Sequence, residues 1–162
     1  MSASLAPTRD GGQPVGSDRR FLYRNGTRRP VVDRPRSYDR TYTAPVGGHA
    51  VRRRLGIDLD RGTVTRFVVQ LEYLVDPIHE GWQTVVRYDH DSEGSDVATH
   101  DVTTDGLHVD VYRDGEKVES RVVSGPLPAN DALERAEEHL TTHMKQFIRR
   151  FERWHGINET GR

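Results

Sequence analysis

One long run without glycine or proline constrains the fold of this chain more than any other feature. Between Asp131 and His155, apolar residues recur every three or four positions, as on one face of an amphipathic helix. The stripe consists of Leu133, Ala136, Leu140, Met144, Phe147 and Phe151. Asp131 and Glu134 resemble a capping pair, and Gly156 is a natural C-terminal stop. A single amphipathic helix must bury its stripe, so the rest of the chain has to supply an apolar surface.

Upstream of the helix the apolar residues alternate, which is typical of β-strands. The alternation predicts strands near residues 67–73, 82–88, 97–103, 107–112 and 118–123. Asp105-Gly106 and Asp114-Gly115 predict two-residue hairpins, because Asp-Gly tolerates the positive φ angles of a type I′ turn. We therefore expect an α+β fold: a small antiparallel meander of about five strands with one long C-terminal helix packed on one face. The other face is left for solvent, the leader or a partner.

Composition divides the chain into three parts. Residues 1–61 are rich in Arg, Gly and Pro and predict a disordered leader, residues 62–155 predict the α+β domain, and residues 156–162 predict a disordered tail. The leader has a net charge of +7, and residues 62–162 have a net charge of −8. Of the 24 basic residues, 22 are Arg. An Arg-rich, acidic domain favours a salt-adapted source over an ordinary GC-rich bacterium, because a dense carboxylate surface keeps a protein hydrated in salt.

Several classes of protein are excluded by what the sequence lacks. The chain has no cysteine, so it has no disulfide framework and no thiolate chemistry. No segment approaches the ~18 apolar residues of a membrane helix, and the first residues show no signal peptide. We expect a cytoplasmic protein without a membrane partner. No glycine-rich phosphate loop or nucleophile elbow is present, so no cofactor is expected.

The densest polar cluster lies at the end of the second predicted strand and in the third. Its members Arg87, Asp89, His100 and Asp101 are the candidate catalytic residues. Arginine offers a bidentate clamp for phosphate, and a histidine beside a carboxylate can act as general acid or base. If the two strands pair, the cluster could support RNA cleavage without a metal.

A plainer interpretation of the same residues stays open. Arg87 and Asp89 could form a cross-strand salt bridge, and His100 could be a core histidine beside Ala98 and Val102. Strand register decides between the two, because a shift of one residue would send His100 to the opposite face of the sheet.

Two further groups were considered as binding sites. His139 and His143 have metal-ligand spacing on a helix, but Leu140 stands where the glutamate of an H-E-x-x-H motif would be, so no metal is predicted. Arg52, Arg53 and Arg54, just before the predicted domain, are candidate nucleic-acid-binding residues. A linker or targeting role for the arginine-rich leader is the alternative.

The order of motifs resembles a group of small haloarchaeal proteins of unknown function. The matching features are Trp82 followed by Val-Val-Arg-Tyr-Asp at 85–89, then His100-Asp101, an Asp-Gly turn and the terminal helix. The Arg–aromatic–Asp strand also resembles, more distantly, the TumE-type toxins of toxin–antitoxin pairs, although their Asn-x-Pro-His stretch is replaced here by residues 90–93. These resemblances imply an uncharacterised, toxin-like domain that binds or cleaves RNA, with RNA or an antitoxin-like protein as partner. The alternative is a non-catalytic interaction module that uses the open sheet face and the leader.

Overall fold

The computed structural model describes residues 37–48, 50–94 and 99–157. They form one antiparallel sheet of six strands in the order β1-β2-β3-β4-β5-β6, followed by one helix. The elements are β1 Arg40–Pro45, β2 Val51–Asp60, β3 Thr63–Asp76, β4 Gly81–Asp91, β5 Leu107–Arg113, β6 Glu116–Ser124 and α1 Ala129–His155. Each strand pairs with its neighbour in sequence, so the sheet is a meander, and the predicted α+β class is confirmed. Six strands replace the expected five.

The predicted leader boundary at residue 61 is wrong, because β1 and β2 lie before it. β2 alternates between the two faces of the sheet: Val51 and Ile57 pack towards the core, while Arg52 points the other way. The sequence pattern did not indicate this strand, because its alternation is interrupted by three charged arginines in a row. The hairpin that joins β2 to β3 turns at Arg61-Gly62, with φ of 49° and 83°, and carries no Asp-Gly or Asn-Gly signal. The predictions for residues 1–36 and for 158–162 lie outside the described residues.

The third predicted strand, 97–103, is also corrected. Its described part, 99–103, runs through coil and turn, and residues 95–98 lie outside the described residues. Asp101 accepts hydrogen bonds from the Thr103 amide and hydroxyl at 3.0 and 2.6 Å. These hydrogen bonds stabilise a turn, so the segment does not pair with a strand as predicted. Gly106 lies in this connection rather than in a hairpin, and a Cβ there would stand 2.4 Å from the Ser124 carbonyl oxygen. The Asp114-Gly115 hairpin is confirmed by positive φ at both residues.

The helix packs along β3, β4 and β5 with the predicted stripe. Ala136, Leu140, Phe147 and Phe151 are buried in the core, which also contains the inward side chains of the strands. Phe151 stacks on the Tyr73 ring at 5.2 Å. The helix ends as expected at Gly156 in the left-handed conformation. Burial of the stripe against the sheet is what stabilises a helix of this length.

The predicted capping pair at the start of the helix is not formed. The helix begins at Ala129, its N-cap is Pro128, and no side chain caps it. Asn130 instead ties the first turn to the β2–β3 hairpin: its Oδ1 accepts from the Val64 amide at 2.8 Å, and its Nδ2 donates to the Gly62 carbonyl at 3.1 Å. Tertiary hydrogen bonds thus position this end. Within the described part of the chain, no helix has the length and apolar character needed to cross a membrane.

Candidate functional site

The face of the sheet away from the helix carries a layer of buried polar side chains. Its buried members are Asp58, Gln70, Glu72, Asp89, Asp91 and Asp110. They face this side because side chains of a strand alternate between its two faces, and their neighbours in sequence face the core. A buried carboxylate is tolerated only when it is paired or hydrogen-bonded. The layer is therefore a set of specific polar contacts, and the predicted site lies within it.

Arg87 and Asp89 form the first pair in this layer. They are two residues apart on β4 and share a face, and the Arg87 Nε donates to Asp89 Oδ2 at 2.8 Å. Burial raises the pKa of the Asp89 carboxyl, although Arg87 opposes this shift. Burial acts to lower the pKa of Arg87, but the charge and hydrogen bond of Asp89 together with Tyr38 and Tyr112 outweigh it and keep the guanidinium charged. The predicted salt bridge is present, but it lies within β4 and not across two strands, and the Arg87 side chain is 30% exposed.

His100 reaches the same face from the loop before β5. Its backbone amide donates to Asp89 Oδ1 at 3.1 Å, which fixes the loop to the sheet. Its Nε2 lies 3.8 Å from Asp110 Oδ2, and its ring stacks on His108 with centroids 4.4 Å apart. Among the described residues Nε2 is buried without a hydrogen-bond partner, whereas the side chain as a whole is 26% exposed. No hydrogen bond from the described residues engages Nδ1, so Nδ1 is the ring nitrogen left for a ligand. The alternative of a core histidine beside Val102 is not what the structure shows.

Asp110 belongs to the candidate site, and sequence reasoning missed it. It is 2% exposed, and its carboxylate accepts from Lys117 Nζ at 3.1 Å and from the Ser120 hydroxyl at 2.6 Å. It also lies opposite Arg87 in the β4–β5 register. The sequence did contain a signal for Asp110. An aspartate between Val109 and Val111 on a strand must point away from the core, because both valines point into it. Asp110 therefore contacts a lysine, a serine and a histidine, and it lies at the centre of the site.

Two tyrosines flank Arg87 and complete the surroundings. Burial raises the pKa of Tyr38 and of Tyr112, so both phenols stay protonated and remain hydrogen-bond donors at neutral pH. The Tyr38 ring packs on Gly56, where a Cβ would stand 2.5 Å from it, and the Arg66 guanidinium lies 4.2 Å from its centroid. Gly56 thus makes room for an aromatic ring on this face.

Asp101 does not join the site. Its carboxylate is used in the turn described above, and its nearest histidine is the buried His90, whose Nδ1 lies 3.7 Å away. His90 Nδ1 accepts from the Val102 amide at 3.2 Å, and burial lowers the pKa of His90, so that ring is neutral. His90 and Asp101 therefore hold the loop that presents His100.

The three arginines 52–54 do not form one surface. Arg53 lies on the helix face, 3.5 Å from Glu137. Arg52 lies on the opposite face, where it pairs with Glu72 and stacks on Trp82 at 3.9 Å. Arg54, in the same strand, is exposed and shares a face with Arg52. Strand alternation splits the run, and Glu72 neutralises one member. We therefore assign no joint binding role to them.

His139 and His143 stack with centroids 4.1 Å apart on the helix face. Tyr88, a buried phenol, bonds His139 Nδ1 at 2.8 Å, and His143 Nδ1 donates to the His139 carbonyl at 2.9 Å. Burial lowers the pKa of His139, with His143 and Arg135 adding to the shift. Within residues 37–48, 50–94 and 99–157, no group of three potential metal ligands comes together.

Fold and site together define a small α+β domain with an Arg87–Asp89 ion pair and a His100–Asp110 contact on the sheet face away from its helix. The chain belongs to DUF7718, a domain of unknown function, whose family profile matches residues 35–157. The match begins before β1 and includes all six strands and the helix, in agreement with the corrected domain boundary. Searches of curated proteins and of solved structures found no match.

Proposed function

We propose that this domain binds single-stranded RNA on the sheet face away from the helix and cleaves it without a metal. The observation that carries the proposal is His100, stacked on His108, with Nε2 directed at the buried Asp110 and Nδ1 without a hydrogen bond to the described residues. A carboxylate that orients one imidazole nitrogen leaves the other for proton transfer. The distance of 3.8 Å is long for a hydrogen bond, and such contacts shorten when substrate binds.

In this proposal His100 is the general base. Its Nδ1 takes the proton of the ribose 2′-hydroxyl, the 2′-oxygen forms a bond to the adjacent phosphorus, and the bond to the 5′-oxygen breaks. His108 returns a proton to that 5′-oxygen, since its Nδ1 is engaged with the Gly106 carbonyl at 3.1 Å and its Nε2 is the nitrogen left for the task. Arg87 and Lys117 stabilise the charge that develops on the phosphorus oxygens. The products are a 2′,3′-cyclic phosphate and a free 5′-hydroxyl.

The TumE-type resemblance and the haloarchaeal resemblance support a toxin-like role in the cytoplasm of a salt-adapted organism, where RNA is available. An antitoxin-like protein would be the partner that restrains the activity. These assignments rest on the resemblance and on the acidic composition of residues 62–162.

A labelled single-stranded RNA, incubated with excess EDTA in single-turnover conditions, tests the proposal. We expect the wild type to produce cyclic-phosphate ends, and His100→Ala to lower the rate by ~10²–10⁴, the usual contribution of general acid–base catalysis. The matched control is His79→Ala, because His79 is exposed in the β3–β4 turn and bonds only Asp76 among the described residues. Cleavage that survives in His100→Ala, or that is absent from the wild type, would refute the catalytic role.

A second candidate is favoured by the edge strand β6. Val118 and Val122 are 51% and 68% exposed on a nine-residue strand whose outer edge is unpaired among the described residues. Such an edge can accept a strand from another protein. If the domain is an interaction module, the protein encoded next to it should co-purify with the wild type and not with Val122→Asp, and no RNA cleavage should be found. Co-purification that Val122→Asp does not weaken would exclude β6 as the interface.

A further inference from the structure

A groove lined by cations runs along the C-terminal half of α1, on the face opposite the proposed site. It consists of two adjoining depressions of about 300 and 490 Å³ that share Gln146. The first lies between β6 and α1 beside Arg121, His139 and His143. The second is lined by Lys145, Arg149, Arg150 and Arg153, with Thr142 and Gln146. The first depression arises because the helix packs on β3, β4 and β5 and leaves the edge strand beside it, and the second continues along the surface of α1 alone.

Three of these cations form a straight row without acidic partners. Lys145, Arg149 and Arg153 are spaced four residues apart, so they project from one side of the helix at intervals of ~6 Å. All three are exposed, and none has a carboxylate within ion-pair distance among the residues that the structure describes. The other two arginines of the helix are compensated: Arg135 bonds Glu138 at 2.7 Å, and Arg150, which also lines the groove, bonds Glu119 at 2.7 Å.

The helix dipole does not account for the row. Cations are favoured in the last turn of a helix, and Arg153 and His155 lie there. Lys145 and Arg149 lie before that turn, and the dipole effect falls off within one turn. The row is positively charged, whereas residues 62–162 as a whole carry a net charge of −8. These cations lack acidic partners, lie in an acidic domain and are regularly spaced. Such an arrangement is suited to bind a polymer with regularly repeating negative charges.

We infer that this groove binds the phosphate backbone of single-stranded RNA. The spacing of the row is comparable to that of neighbouring phosphates on an extended strand, and exposed Lys and Arg side chains are the usual phosphate contacts. β6 lies at the edge of the sheet, so an RNA strand that passes around it reaches Lys117 on one face and Arg121 on the other. The identity of the polymer rests on the proposed function; the position of the groove does not.

The chain contains only two lysines, and one lies in each site, which permits a direct footprint. Lys117 contacts Asp110 in the proposed catalytic site, and Lys145 lies in the groove. Acetylation of the full chain with and without a short single-stranded RNA, followed by mass spectrometry, reports the two sites separately. We expect RNA to slow acetylation of Lys145 several-fold.

Protection of Lys117 alone would overturn the groove and support the proposed function. Protection of Lys145 alone would support the groove and contradict the proposed function. Protection of neither lysine would overturn both.

A pair of variants provides a second readout. Arg149→Gln and Arg135→Gln change the same residue type on the same helix, and only Arg149 belongs to the groove. We expect Arg149→Gln to weaken RNA binding and to reduce the slope of log affinity against log salt by ~0.7, the value for one phosphate contact on a single strand. Arg135→Gln should change neither. Equal slopes for both variants would overturn the groove, and an equal loss with duplex RNA or with single-stranded DNA would overturn its assignment to single-stranded RNA.

Discussion

The ion pair between Arg87 and Asp89 supports the loop that carries His100. Asp89 is 3% exposed and accepts both the Arg87 guanidinium and the His100 amide. Asp89→Asn would leave Arg87 without its charged partner. We expect the variant to lose ~1–3 kcal/mol of unfolding free energy, the usual cost of an unsatisfied buried polar group. Urea titration against the exposed control Asp60→Asn measures the difference, and midpoints that agree would mean that the pair contributes nothing to stability.

A second residue-scale prediction concerns pH. The Arg121 and Arg150 guanidinium groups bond Glu119 and lower the pKa of its carboxyl to about 2 from 4.5. A carboxyl whose pKa is lower in the folded state contributes stability above its unfolded pKa and loses that contribution as pH falls towards the folded value. The wild type should therefore exceed Glu119→Gln in melting temperature at pH above 4.5, and the gap should close as pH approaches 2. A gap that is constant across this range would contradict the ion-pair origin of the shift.

Strand alternation explains which site residues the sequence could reveal. Arg87 and Asp89 are two residues apart on one strand, so their shared face follows from the pattern alone. Asp110 follows from the same rule but joins the site only through the β4–β5 register, which no local pattern specifies. His100 reaches the face from a loop whose path depends on the Asp101 turn and on the His90 contact. Long-range contacts of this kind are invisible to periodicity.

At the scale of elements, the first two strands should be required for folding. β2 pairs with β3 along ten register positions and places Val51 and Ile57 against the core, and β1 pairs with β2. We expect deletion of residues 1–58 to abolish cooperative unfolding, because it exposes the edge of β3. A chain that starts at residue 36 keeps all six strands and should unfold cooperatively. Circular dichroism during urea unfolding distinguishes them, and a cooperative transition in the shorter chain would show that the first two strands are dispensable.

The helix provides a second prediction at this scale. Phe147 is 6% exposed in the middle of the stripe, and its ring lies near His139 and His143. Phe147→Ala should lower the unfolding free energy by ~3–5 kcal/mol, the range for a buried phenylalanine. Gln146→Ala, an exposed neighbour, is the control. A urea midpoint near that of the control would mean that the helix does not hold the sheet through this residue.

The elements were predictable where apolar periodicity was strong and unaccompanied by charge. The helix and four strands lie where alternation or the helical stripe placed them. β1 is exposed along all six residues and has no apolar pattern, and β2 carries three arginines, so neither resembles a strand by composition. Residues 99–103 were predicted as part of a strand but close a turn, because the Asp101 side chain competes for the backbone amide that a ladder would use.

At the scale of the whole molecule, charge determines the response to salt. Residues 37–157 contain 15 basic and 21 acidic side chains, a net charge of −6. Self-repulsion opposes the compact state, and salt screens it. The urea midpoint should therefore rise from dilute buffer to molar KCl. A flat response would show that the ion pairs already compensate the repulsion, and a fall would show that their screening outweighs it.

The two faces of the sheet also divide the molecule by chemistry. The helix face holds the apolar core, and the opposite face holds the buried carboxylates with their basic partners. A structure that used the second face only for stability would be expected to cover it with apolar side chains, since replacing buried ion pairs by apolar residues is often neutral or stabilising. Retention of Asp89, Asp110 and their partners is consistent with a binding role for this face.

Nuclear magnetic resonance of the histidine side chains tests the central claim, that this face binds RNA through His100 and His108. The ligand is an RNA dinucleotide with a 2′-O-methyl group, which blocks attack on phosphorus. We expect its titration to shift the ring nitrogen signals of His100 and His108 and to leave those of His90, which is 1% exposed on the core side, unchanged. No shift at His100 and His108, or shifts no larger than those of the exposed His79, would contradict the claim.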